Sequence, residues 1–200
     1  MIVVRDGKAA RYFAALRREM SLLPDWFIAR HLGVTLTAAE NRALEAAFGC
    51  LERAALAQPA VVVHRDYHSR NLMVVESDNP GVLDFQDATV GAVTYDLVSL
   101  LKDCYVRWPR QRVLAWVDEY RAQAAQAGIP LAADRAAFLR DFELMGLQLP
   151  GSSFENPGTP IRQAFNRAAM HRLAAMAAEP GAWALGRLVD ERAIVNAAVG

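Results

Sequence analysis

Lysine is almost missing from this 200-residue chain, which has only Lys8 and Lys102. Its 22 basic residues are balanced by 22 acidic ones, so no positive surplus is available for a nucleic-acid footprint. The apolar runs are too short and too interrupted to cross a bilayer, which argues against a membrane protein. Met1-Ile2-Val3-Val4-Arg5-Asp6 lacks a basic segment followed by an apolar stretch, so no signal peptide is expected and the expected location is cytoplasmic. Cysteine is scarce as well. Cys50 and Cys104 both fall in helical patterns, where buried thiols are expected, with a structural disulfide as the lesser alternative. What is abundant is apolar residues, at 54%, enough for one domain with a sizeable core.

Periodicity divides the chain. Phe13, Leu16 and Met20 share a helical face, and Pro24 suits the first turn of a short helix over Asp25–His31. Thr37 and Glu40 form a capping box ahead of Leu44, Phe48 and Leu51, predicting a helix to about Ala57. The period then changes. Val61–Val63, Leu72–Val75 and Val82–Phe85 read as short strands of an antiparallel ribbon, with a turn at Ser77-Asp78-Asn79-Pro80-Gly81. A helix over Asp96–Tyr105 is expected to turn Leu97, Leu100, Leu101 and Cys104 inward. Another helix carries Val113, Trp116, Val117 and Tyr120 and stops at Gly128-Ile129-Pro130. Asp134 caps a third, with Phe138, Phe142 and Met145 along it. The expected class is α+β, mostly helical. At Leu149 the character shifts to a Pro/Gly-rich loop and two alanine-rich helical stretches, so two parts are expected, 1–148 and 149–200.

The chemistry is concentrated in His64-Arg65-Asp66-Tyr67-His68-Ser69-Arg70-Asn71 and Gly81-Val82-Leu83-Asp84-Phe85-Gln86-Asp87. Asp66, an Asn five residues later and Asp84 eighteen residues later have a spacing used in phosphoryl transfer. A carboxylate at Asp66 can orient an attacking hydroxyl and take up its proton, while the oxygens of Asn71 and Asp84 suit magnesium. The competing reading is an Asx-rich loop that caps its own backbone. His64 reads as a loop holder more than as a chemical group. Arg65 either pairs with a carboxylate or faces solvent, and His68 and Arg70 either stabilise phosphate charge or are solvated. Asp87 reads as a turn cap or a second metal-facing carboxylate, and Tyr67 as packing. Asp96 is either the N-cap of its helix or a buried acceptor for backbone donors of the loop.

Val63–Met73, Gly81–Asp87 and Thr94–Leu101 together resemble the aminoglycoside phosphotransferase and choline kinase superfamily. Within it the chain is most similar to the bacterial cell-wall sugar kinases, anomeric kinases of N-acetylmuramate and N-acetylglucosamine in peptidoglycan recycling. Leu16–Met20 and Pro24–Phe27 also look like that group, and the likeness covers about residues 10–148. The resemblance implies a protein-kinase-like C-terminal lobe that uses ATP and Mg2+ on an amino-sugar substrate. It implies Asp66 as the catalytic aspartate, His68 near the transferred phosphate, and Asn71 and Asp84 as metal ligands. Arg70 would lie on the cofactor side, and Asp96, with His64 and Arg65, would steady the loop. Gln86 stands where protein kinases have the glycine of their Asp-Phe-Gly motif.

The departures lie before His64. Gly7, Gly33 and Gly49 are its only glycines there, no two of them close, so no glycine-rich phosphate loop is formed. Neither Lys8 nor Lys102 stands in the order expected of a phosphate-gripping lysine. The expectation is therefore a C-terminal lobe without its N-terminal lobe, active weakly or not at all by itself. The alternative is a kinase-derived binding module, whose exposed apolar face would take a second copy or a partner. A more remote reading makes His64-x-Asp66-x-His68 a hydrolase metal cluster, which needs further ligands when only His31 and His171 remain.

Overall fold

The capping box works in both directions. The Thr37 amide donates to Glu40 Oε2 at 2.7 Å and the Glu40 amide to Thr37 Oγ1 at 3.2 Å, so the helix behind them starts at Ala38. The computed structural model describes residues 6–103, 105, 106 and 108–148. Its elements are α1 (Asp6–Leu22), a π-helical segment (Leu23–His31), α2 (Ala38–Leu56), β1 (Ala60–Val63), β2 (Leu72–Met73), β3 (Gly81–Val82), β4 (Thr89–Ala92), α3 (Tyr95–Leu101), α4 (Arg110–Gln126) and α5 (Arg135–Met145). The fold is mostly helical with short antiparallel strands. The expected part 149–200 lies outside the described residues, as does Cys104.

The described chain forms two compact units, one of residues up to 15 with 54–146, the other of 16–53 with 147 and 148. In the second, Leu16, Met20, Leu23, Phe27, Ile28, Leu44, Phe48 and Leu51 are buried. Arg17 pairs with Glu45 and, at 3.1 Å, with Glu52, and Gln148 Nε2 donates to Leu51 O at 2.9 Å. The short helix expected over Asp25–His31 is instead a wider-wound continuation of α1 from Leu23, with Pro24 in its first turn. Cys50 is exposed, not buried, because the stripe of Leu44, Ala47, Phe48 and Leu51 takes the inner face of α2.

The first unit carries two ribbons where one was expected, β1 against β4 and β2 against β3. Val61 faces Gly91 and Val63 faces Thr89 in the first; Leu72 faces Val82 in the second. The strands over Leu72–Val75 and Val82–Phe85 are cut short at Met73 and Val82, since the chain leaves the ladder for the turn before Gly81 and for the Phe85–Asp87 turn. β4 escaped the pattern because Gly91 and Ala92 weaken its strand signature. Yet Gly91 is required: a Cβ there would lie 2.7 Å from the Tyr12 ring and 2.9 Å from a Val63 methyl. Gly91→Ala is expected to lower the stability of this unit by about 1–3 kcal/mol, read as a reduced denaturant midpoint at constant slope. A midpoint equal to that of the parent would refute that contact.

α3 ends at Leu101, four residues short of the expected Tyr105; Leu101 is buried as expected, but Tyr95 and Val98 take the inner side in place of Leu97 and Leu100. Asp134 caps α5 through the Ala137 amide at 2.7 Å, and Phe138, Phe142 and Met145 are fully buried, as the periodicity predicts.

Candidate active site

Eight residues, 64–71, separate β1 from β2, and the structure ties them down at both ends. At the near end the amides of His64 and Arg65 donate to the two oxygens of Asp96, at 2.7 and 3.1 Å. Aiming two successive amides at one carboxylate goes with the left-handed backbone of Arg65, φ +79°. Asp96 is not the cap of α3; Thr94 holds that position, and its hydroxyl donates instead to Gln58 Oε1 at 2.7 Å. Burial pushes the Asp96 carboxyl above its ordinary value, outweighing the two amides and the neighbouring His64 ring that pull it down; nearby Asp66 adds to the rise.

The His64 ring bridges the loop and the segment that leads into Asp84. Its Nε2 lies 2.8 Å from Leu83 O, and its Nδ1 lies 3.3 Å from the Asp66 amide. A carbonyl only accepts, so Nε2 carries the proton and Nδ1 accepts from Asp66, which fixes a neutral tautomer. The Leu83 amide in turn donates to Asn71 O at 2.9 Å, and Asn71 Nδ2 donates to Asp66 O at 3.0 Å. These bonds draw together the backbones bearing Asp66, Asn71 and, one residue beyond Leu83, Asp84.

Asp66 and Asp84 are both exposed. Asp84 has a left-handed backbone, φ +64°, and opens the Phe85–Asp87 turn, in which exposed Asp87 is the last residue. Gln86 Nε2 donates to Asp84 Oδ1 at 2.6 Å, so the residue in the place of the motif's glycine orients the carboxylate. The donor set fits magnesium, which takes few protein oxygens and completes its shell with water and phosphate. With Nδ2 of Asn71 committed to Asp66 O, its Oδ1 is the atom suited to such an ion. No group of three or more His, Cys, Asp or Glu gathers into a metal cluster among the described residues. Both ring nitrogens of His64 are engaged, one by Leu83 O and one by the Asp66 amide, so the hydrolase reading of His64-x-Asp66-x-His68 has no ligand there.

At the far end, the Ser69 amide and hydroxyl both donate to Asp103 Oδ2, at 3.2 and 2.6 Å. The His68 ring meets Tyr105 edge-on at 5.7 Å between centroids, and the Arg70 guanidinium lies 4.8 Å from the centre of the same Tyr105 ring. Asp103 and Tyr105 were missed because the helical pattern from Asp96 ran through them, and only the early end of α3 exposes their backbone turn. Tyr67 packs edge-on to His64. Lys102 Nζ is bound to Glu143 at 2.7 Å and lies over the Phe142 ring, which ties it to α5.

Residues 4–139 match the model of a phosphotransferase enzyme family. An N-acetylmuramate/N-acetylglucosamine kinase of Pseudomonas putida is 51% identical over 135 residues, 68% of this chain and 40% of the relative. The Pseudomonas aeruginosa kinase of the same name is 53% identical over the same shares. The chain thus spans about 40% of the length of these relatives. A phosphogluconate dehydratase of Zymomonas mobilis is 51% identical over a shorter stretch, 59 residues, which is 29% of this chain and 10% of that enzyme.

Proposed function

The chain belongs to the phosphotransferase enzyme family, and on that premise we propose that residues 1–148 are the catalytic C-terminal lobe of an ATP-dependent sugar kinase. The acceptor we propose is the anomeric hydroxyl of an N-acetylhexosamine, in peptidoglycan recycling in the cytoplasm. The names of the 51% and 53% identical relatives support the sugar class. The observation that carries the reading is the His64 bridge, which joins the Asp66 amide to Leu83 O and so couples the catalytic loop to the strand end bearing Asp84.

In this reading exposed Asp66 orients the sugar hydroxyl and receives its proton as the phosphoryl group is transferred. His68 and Arg70 place positive charge beside the transferring phosphate. Asn71 and Asp84 hold magnesium, which neutralises phosphate charge when bound. Asp96, His64 and Arg65 keep the loop in register and take no part in proton transfer.

Among the described residues Lys102 is engaged by Glu143 and so does not take the place of a phosphate-gripping lysine. The reading therefore calls for a covering element, an N-terminal lobe or a second copy. Exposed Met73, Val74, Val82, Leu83 and Phe85 are the apolar surface it would cover. For 149–200 we propose an origin apart from the kinase part. The family match ends at residue 139, before this stretch begins. We assign no dehydratase activity to the chain, because the likeness covers 10% of that enzyme.

Phosphorus NMR of the folded chain with Mg-ATP and N-acetylmuramate or N-acetylglucosamine tests the reading. The expected result is a sugar-phosphate signal that accumulates well below the order of 1 turnover per second and disappears in Asp66→Asn. Ordinary kinase rates would overturn the need for a covering element. No signal from folded protein would favour the alternative, a kinase-derived binding module.

A further inference from the structure

The loop is braced twice, and the second brace ties Ser69 to the chain just beyond α3. Asp103 is buried, 8% exposed, at the point where α3 has ended. Its carboxylate accepts three hydrogen bonds. The Ser69 amide and hydroxyl reach Oδ2 at 3.2 and 2.6 Å, and the Tyr105 amide reaches Oδ1 at 2.9 Å. One carboxylate thus fastens the middle of the His68-Ser69-Arg70 arm to its own turn, and the same bonds set where the Tyr105 ring stands. That ring meets both neighbours of Ser69: the His68 imidazole edge-on at 5.7 Å and the Arg70 guanidinium at 4.8 Å. A cation over an aromatic face and an edge-on ring pair are both directional contacts, so the ring restricts where the two side chains point.

We propose that Asp103 and Tyr105 are positioning residues that aim His68 and Arg70 at the transferred phosphate, Asp103 by clamping Ser69 and Tyr105 by holding the two side chains on one ring. The inference rests on the kinase reading for what the two groups face, though the brace itself can be tested without turnover. Its logic is preorganisation: a charge fixed before the reaction costs no reordering when phosphate charge shifts. Asp96 cannot supply this, because its bonds end at His64 and Arg65, at the other end of the loop.

The test uses the full chain and four variants: Asp103→Asn, Ser69→Ala, Tyr105→Leu and Tyr105→Phe. Hydrogen exchange of the amides of 68–71 is expected to quicken roughly tenfold or more in Asp103→Asn, while α4 and α5 keep their protection. Ser69→Ala, which keeps the amide bond and loses the hydroxyl bond, is expected to give a smaller increase. Imidazole proton shifts of His68 are expected to move in Tyr105→Leu and to stay in Tyr105→Phe, which retains the ring. With Mg-ATP and N-acetylglucosamine, Tyr105→Leu is expected to lower kcat about tenfold or more with little change in sugar KM, and Tyr105→Phe to rescue it.

Unchanged exchange at 68–71 in Asp103→Asn would overturn the clamp. His68 shifts that agree between Tyr105→Leu and Tyr105→Phe would overturn the ring's part. If the parent chain forms no sugar phosphate while the exchange and shift results come out as expected, the brace stands and the kinase reading falls. A KM effect without a kcat effect would also overturn the aiming role. General loss of protection in Asp103→Asn would mark it as a folding residue, and the Tyr105 pair would then decide.

Discussion

Asp66→Asn is expected to lower sugar-phosphate formation by about a hundred- to ten-thousand-fold, the range that a positioned proton acceptor contributes. The substitution nearly preserves shape and removes the basic oxygen, so the expected loss falls on kcat, with nucleotide affinity little changed. Folding is expected to be untouched. The Asp66 amide is bound to His64 Nδ1 and its carbonyl accepts from Asn71 Nδ2, so its place in the loop is set by backbone groups that the substitution keeps. Its side chain is exposed, and stability and loop exchange are therefore expected to match the parent. Equal turnover by the folded variant, measured by the phosphorus signal over hours, would remove Asp66 from the chemistry and return it to an Asx loop.

Asp96→Ala is expected to act the opposite way, on stability first and on activity through it. It removes the acceptor of two amides, those of His64 and Arg65, at the point where the chain leaves β1 with a left-handed residue. Losing bonds to a carboxylate and leaving such donors partly buried costs about 2–4 kcal/mol. The denaturant midpoint is expected to fall accordingly, with exchange in 64–66 rising before that in α4 or α5. A change below about 0.5 kcal/mol would mean that water replaces the carboxylate, and that Asp96 is not what holds this end of the loop.

The same residue gives a pH signature. Burial holds the Asp96 carboxyl above its ordinary 3.8, so the folded chain keeps this proton to a higher pH than the unfolded chain does. The folded state then binds more protons in the window that opens at 3.8. The stability linked to this proton is full below that value and is lost as pH rises through the raised one. Asp96→Asn has no such proton. The stability of the parent minus that of Asp96→Asn is therefore expected to fall with rising pH across that window, and a difference flat in pH would contradict the raised value.

Local signals were legible wherever one residue answers a local need. Thr37 with Glu40 and Asp134 with Ala137 satisfy helix amides within four residues, and the structure has both helix starts where the sequence puts them. The face of Phe138, Phe142 and Met145 follows from a period of 3.6 and is fully buried. The pattern failed where a tertiary contact overrides propensity. Gly91 makes a poor strand residue, yet it sits in β4 because Tyr12 and Val63 leave no room for a Cβ. α3 stops at Leu101 although apolar residues continue, and beyond it Asp103 accepts the Ser69 and Tyr105 amides.

The candidate site divides the same way. The sequence by itself determined which residues are the candidates for the chemistry, since carboxylate, amide and imidazole groups at fixed spacing are a property of the chain, and with them came the phosphotransferase family. Tertiary structure alone decided how they are held. It assigned His64 as the bridge to Leu83, chose the loop-bracing role of Asp96 over the cap, turned Gln86 onto Asp84, and brought in Asp103 and Tyr105. Except for the Gln86–Asp84 bond, which spans two residues, those choices depend on which groups meet across 19 to 37 residues of chain, a distance at which local periodicity carries no information.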